Sequence, residues 1–114
     1  MKTLLKTASL SDKGIKRKMN QDVVFTSELP VGNLPNLFMI CDGMGGHKAG
    51  DYASQYAVKT IVDMAETSRE RNAEKILQNG IDKATREIHE MAVTNESMEG
   101  MGTTLVAAVI YKTR

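Results

Sequence analysis

The chain has 114 residues, 41% hydrophobic and 25% charged, with a net charge of +1 at pH 7. These values describe one globular domain with a single core. They exclude a broad basic field for nucleic acid or an anionic membrane, and no segment nears the ~20 apolar residues of a membrane helix.

The start is basic, but Lys6 interrupts it and no long apolar stretch follows, so it fails as a secretory signal and a cytoplasmic protein is expected. Residues 3–11 are β-compatible and predict a first strand. Ser11-Asp12-Lys13-Gly14 is a turn signal. Residues 23–29, rich in β-branched and aromatic side chains, predict a second strand. Residues 30–36, with two prolines, a glycine and two asparagines, predict a loop. Residues 38–41 predict a third strand, forming an antiparallel hairpin with the second. The single Cys41 lies in this apolar run and reads as a small core residue, with a redox role as the alternative; one cysteine fits a reducing compartment.

Helical spacing begins near Asp51, read as the N-cap. Ala53, Ala57, Ile61 and Met64 define one buried face. Residues 68–72 interrupt it. In a second helix Ile76, Leu77, Gly80, Ala84, Ile88 and Met91 form the inner stripe. Gly80 costs up to ~1 kcal/mol there relative to alanine, which predicts close helix–helix contact. The methionines read as core filling. Residues 95–102 are a second glycine-containing loop, and residues 103–111 predict a buried strand. No repeat or low-complexity tract is present.

The chemistry concentrates where the third strand stops on Asp42 and Gly43, Gly45, Gly46 and Gly50 follow within eight residues. A carboxylate ending an apolar strand is costly unless its charge is balanced. Glycines let the backbone bend and a ligand come close. The dinucleotide pattern fails because Lys48 stands where its last glycine belongs, and no P-loop lysine follows. A bare phosphate beside Asp42 would be repelled, whereas a hard divalent cation would turn the carboxylate to use. Alternatively, Asp42 is a turn residue. A second constellation runs from Gly14 to Asp22 and sets Arg17 ahead of the acid Asp22. Arginine suits bidentate phosphate binding; read alone, the segment is more often a solvated basic turn.

Taken in order, Gly14-x-x-Arg17-x-x-Asn20-Gln21-Asp22, then Asp42-Gly43-Met44-Gly45-Gly46-His47-x-x-Gly50, then Gly100-Met101-Gly102-Thr103-Thr104 resemble the protein phosphatase 2C family, the metal-dependent Ser/Thr protein phosphatases, in their bacterial spelling. The resemblance implies an α+β fold, the N-terminal part of a β-sandwich flanked by antiparallel helices, with residues 1–114 as the N-terminal half of a catalytic domain. It implies hydrolysis of phosphoserine and phosphothreonine on proteins by a metal-bridged water, with Mn²⁺ or Mg²⁺ at a two-metal site. Asp42 would bridge the metals and the Gly43 carbonyl would ligate one. Arg17 would hold the phosphate, and Asp22 would orient metal-bound water.

Three departures follow. Gln21 stands where many members have glutamate, so it would act only as a neutral ligand or through water. Met44 stands where some have a histidine proposed as general acid. His47, three residues further on, reads as a cap rather than a catalyst. Members are also longer, and their C-terminal part supplies further aspartates; Asp51, Asp63 and Asp82 match no ligand motif. A cation held mainly by one carboxylate and one carbonyl binds weakly. The 114-residue piece is therefore expected to be inactive alone, with exposed strand edges open to self-association. The rival expectation is a non-catalytic module that binds a phosphoprotein or partner subunit, for which Arg17 matters and Asp42 does not.

Overall fold

The computed structural model describes residues 14–17, 22–45 and 47–111, without the side chains of 14–17 and 47. The strand expected over residues 3–11 lies outside the described residues. Four strands, β1 (Gly14–Arg17), β2 (Asp22–Ser27), β3 (Leu37–Met44) and β4 (Gly102–Ala108), form one antiparallel sheet in that order. Two helices, α1 (His47–Thr67) and α2 (Ala73–Thr94), separate β3 from β4, and a short 3₁₀ turn, Glu96–Met98, follows α2. This is the expected α+β arrangement: one sheet with helices on one face.

Strand alternation decides which face is covered. In β3, Leu37, Met39, Cys41 and Gly43 are buried, while Ile40, Asp42 and Met44 are exposed. The buried set joins Val23 of β2 and Ala53, Ala57, Val58 and Ile61 of α1 in one core. Helix α2 packs on α1 through Ile76, Gly80, Ala84 and Ile88, four members of the expected stripe. A Cβ placed on Gly80 would stand 3.3 Å from the Ile61 Cα, so glycine there does mark close helix contact. Asn72 caps α2, its side chain accepting from the Lys75 amide at 3.0 Å. Asn72→Ala is expected to lower stability by about 1 kcal/mol in urea unfolding; an unchanged midpoint would show that the cap contributes nothing.

Several boundaries differ from expectation. Residues 14–17 form a strand paired with β2, Arg17 opposite Val23, where a turn was expected. Strand β2 ends at Ser27, whose hydroxyl donates to the Leu29 carbonyl at 2.8 Å and turns the chain outward. Helix α1 begins at His47, so Asp51 lies inside it rather than capping it, accepting from the Gln55 side chain at 3.1 Å one turn on. Gly50 hid this start because glycine is a poor helix former. Strand β4 is shorter than expected and only half-covered, with Val106 69% exposed, since its outward residues face away from the helices.

The connection between β2 and β3 is more organised than its turn-rich composition suggests. Val31 and Leu34 pair with each other around Gly32, at φ 60°. The Asn33 amide donates to the Glu70 carbonyl at 2.9 Å, tying this loop to the α1–α2 turn. Buried Asn36 donates to the Ile110 carbonyl at 2.7 Å and accepts from its amide at 2.8 Å. Its side chain thus imitates a strand partner and carries the chain after β4 alongside β3.

Cys41 is fully buried, and burial pushes its thiol from 9.0 up to about 11, against a smaller lowering by a hydrogen bond with Thr103. It is an inert core residue. The raised value means the unfolded thiol ionises first, so its contribution is complete below pH 9 and is lost as pH climbs toward 11. Urea unfolding at pH 8 and pH 10 should show this decline, smaller in Cys41→Ala than in the wild type. An equal decline in both would assign it to other groups.

Candidate metal centre

Antiparallel pairing brings four strand termini to one end of the sheet. Arg17 closes β1, Asp22 opens β2, Asp42 to Met44 close β3 and Gly102 opens β4. The register sets Asp22 opposite Asp42, and Asp42 opposite Thr104. Directly opposed residues share a face, so the two carboxylates stand side by side on the sheet face away from α1, with Cβ atoms about 5 Å apart in such pairs.

Asp42 does not end its strand as expected. Strand β3 continues through Gly43 and Met44 because Thr103 and Gly102 of β4 pair with them. The carboxylate therefore sits on a rung held from both sides. Gly43 points the other way, into α1. A Cβ on Gly43 would overlap the Gly50 carbonyl and the Ser54 hydroxyl, so glycine here lets the first turns of α1 lie directly on the strand. Ser54, itself buried, donates to the Gly50 carbonyl at 3.1 Å within that contact. Gly45, at φ 121°, turns the chain from β3 toward α1, close against Met101.

Of the residues expected at the site, the structure brings Asp22, Asp42 and Gly43 together and places the Arg17 backbone one rung from Asp22. Gln21 lies outside the described residues, as do the side chains of Arg17 and His47. The helical acids are occupied elsewhere: Asp51 with Gln55, Asp63 with Lys59 at 3.4 Å, and Asp82 with Gln78 at 2.8 Å. Met44 is half exposed beside the site on the same face as Asp42. Thr104, which the motif contained and the sequence reading left without a role, stands directly opposite Asp42. Its hydroxyl lies 3.4 Å from the Asp42 carbonyl oxygen as donor.

The donor chemistry fits a hard divalent cation. Like charges directly opposite on a sheet repel, and a cation between two carboxylates removes that penalty. Donor number is short: among the described residues no group of three or more His, Cys, Asp or Glu is gathered to hold a metal. Nor is any described helix long and apolar enough to cross a membrane.

The chain is 38% identical over 110 residues to the serine/threonine phosphatase stp of Listeria monocytogenes, covering 91% of this chain and 42% of that protein. It is 36% identical over 110 residues to the protein phosphatase PhpP of Streptococcus pneumoniae, covering 89% and 42%. The chain thus spans about two-fifths of the length of the curated relatives it matches. Among solved structures it resembles the catalytic domain of the serine/threonine protein phosphatase PstP in complex with two manganese ions, with a TM-score of 0.65 at 28% identity over 88% of this chain and 40% of that one. The family model described as protein phosphatase 2C matches residues 14–114. With that match running from β1 through the opposed carboxylates to the last strand, the chain belongs to the protein phosphatase 2C family.

Proposed function

We propose that residues 1–114 are the N-terminal part of the catalytic domain of a metal-dependent serine/threonine protein phosphatase, acting on phosphoserine and phosphothreonine proteins in the cytoplasm. The observation that carries this reading is the pairing of Asp22 with Asp42 on the sheet face away from α1, at the end where Arg17 closes β1. Asp42 and the Gly43 carbonyl hold Mn²⁺ or Mg²⁺, with Gln21 as a neutral ligand. Asp22 orients the water, and Arg17 holds the substrate phosphate through its planar fork of donors. Bound divalent cations would supply the positive charge that activates water and neutralises the phosphate oxygens. The manganese-bound PstP structure supports Mn²⁺ as the cation.

One carboxylate, one carbonyl and the neutral Gln21 are too few donors for tight binding, so the chain alone is inactive and needs donors from further polypeptide. The test is a chimera in which this chain replaces the matched segment of the Listeria monocytogenes phosphatase. It should release phosphate from a phosphothreonine peptide with Mn²⁺, while the chain alone should give background. A folded chimera without Mn²⁺-dependent turnover overturns the enzyme reading. Turnover by the chain alone at the rate of the intact relative overturns the claim of incompleteness.

A second reading, a non-catalytic module for a phosphoprotein or partner subunit, is favoured by one observation. Ile40 and Val106 face each other across β3 and β4 on the open face, 54% and 69% exposed. The outer edge of β4 also pairs with no described strand, which suits self-association. Light scattering should show dimers if that edge is used, and monomers throughout the micromolar range would sink the idea.

A further inference from the structure

We propose that Thr104 is a positioning residue that holds Asp42 in place for the cation, through its hydroxyl contact from β4. The inference rests on the reading of Asp42 as the carboxylate that holds the cation. Thr104 stands directly opposite Asp42, so both side chains lie on the same face, and its hydroxyl reaches the Asp42 carbonyl oxygen at 3.4 Å. On that face of β4 the rungs are Gly102, Thr104, Val106 and Ala108, and the one hydroxyl among them falls beside the carboxylate.

Its neighbour shows the contrast. Thr103 lies opposite Gly43 on the helix side, hydrogen-bonds with the Cys41 thiol, and donates to the Thr104 carbonyl at 2.9 Å. Thr103 therefore serves the core, whereas Thr104 serves the carboxylate face. Two threonines in succession give one hydroxyl to each face of the strand.

Asp22 flanks Asp42 on the β2 side. The rung on the other side of Asp42 is Thr104. A β-branched side chain with few rotamers makes a stiff support there, and its hydroxyl ties the backbone that carries the carboxylate. Loss of the hydroxyl would remove that tie on the Asp42 backbone, and the cation would find its principal ligand less firmly placed.

The test is calorimetric titration of MnCl₂ into the Listeria monocytogenes chimera carrying this chain, with thermal unfolding of each variant recorded alongside. Thr104→Val keeps the shape and removes the hydroxyl; it should weaken Mn²⁺ binding about tenfold, the lower end for partners that orient a metal ligand. Thr104→Ser keeps the hydroxyl and should retain wild-type affinity. A merely structural role would lower the unfolding temperature of the valine variant and leave its Mn²⁺ affinity unmoved, which overturns the inference while the metal reading stands. If the valine chimera fails to fold, Thr104→Ala makes the same comparison, with unchanged affinity again overturning it. Absence of Mn²⁺ binding by the unsubstituted chimera overturns the metal reading itself, and this inference with it.

Discussion

Asp42→Asn is expected to lower Mn²⁺-dependent phosphate release by the Listeria chimera by about 100-fold or more, the scale set by losing a metal-holding carboxylate. Asparagine has nearly the same shape and keeps one acceptor oxygen, so the strand register and the contact with Thr104 should survive. What goes is the negative charge, and charge count governs affinity for hard cations. The substitution carries a second signature. Asp42 is exposed on its strand, so removing its charge should leave the metal-free protein within about 0.5 kcal/mol of the wild type. Addition of Mn²⁺ should raise the unfolding temperature of the wild type and not of the variant, because only a ligand bound to the folded state stabilises it. A variant that loses stability in the absence of metal would show that the Asp42 carboxylate serves the fold rather than a cation. A variant with full activity would remove it from the site.

Gly43→Ala should cost about 3 kcal/mol, at the upper end of overpacking effects, and should also impair the site. The new methyl would meet the Gly50 carbonyl, which belongs to the backbone of α1 and cannot rotate away, and the Ser54 hydroxyl beside it. Relief requires α1 to lift from β3 or β3 to bow toward the open face. Either movement shifts the rung that carries Asp42. Two other glycines serve as controls. Gly102→Ala meets nothing closer than the flexible Met44 side chain at 3.8 Å and should be nearly neutral. Gly100→Ala has open space but sits at φ 77°, so it should cost only the left-handed backbone penalty of roughly 1 kcal/mol. Urea unfolding of the three variants ranks them directly. If Gly43→Ala is no worse than Gly102→Ala, the close approach of α1 to β3 is not a constraint on the fold.

Much of the site was readable because it is written in short, local patterns. The glycine density after Asp42 signals a chain that must bend and approach closely, and Gly43 and Gly45 do both. The α2 stripe followed from helical period alone, including the tight contact at Gly80. Boundaries failed where local signals conflicted with tertiary contacts. Gly50 made the first turn of α1 look like loop, yet the same lack of a side chain lets that turn lie on β3. Asp42 looked like a strand end because it is charged, and acids are uncommon in strands. Pairing with Thr104 from the far end of the chain overrode that local preference.

By itself the sequence determined the alternation of two helices with short strands, the identity of the acids and the arginine, and the family to which their order belongs. These depend on neighbours a few residues apart, where periodicity and turn chemistry act. Tertiary structure alone decided which residues face each other. The opposition of Asp22 to Asp42, the position of Thr104 beside them and the clamp of Asn36 on Ile110 all depend on strand register. Register is settled by burying Val23, Leu37, Met39 and Cys41 under α1, because a slip of one residue would turn that whole set outward and carry the carboxylates into the core.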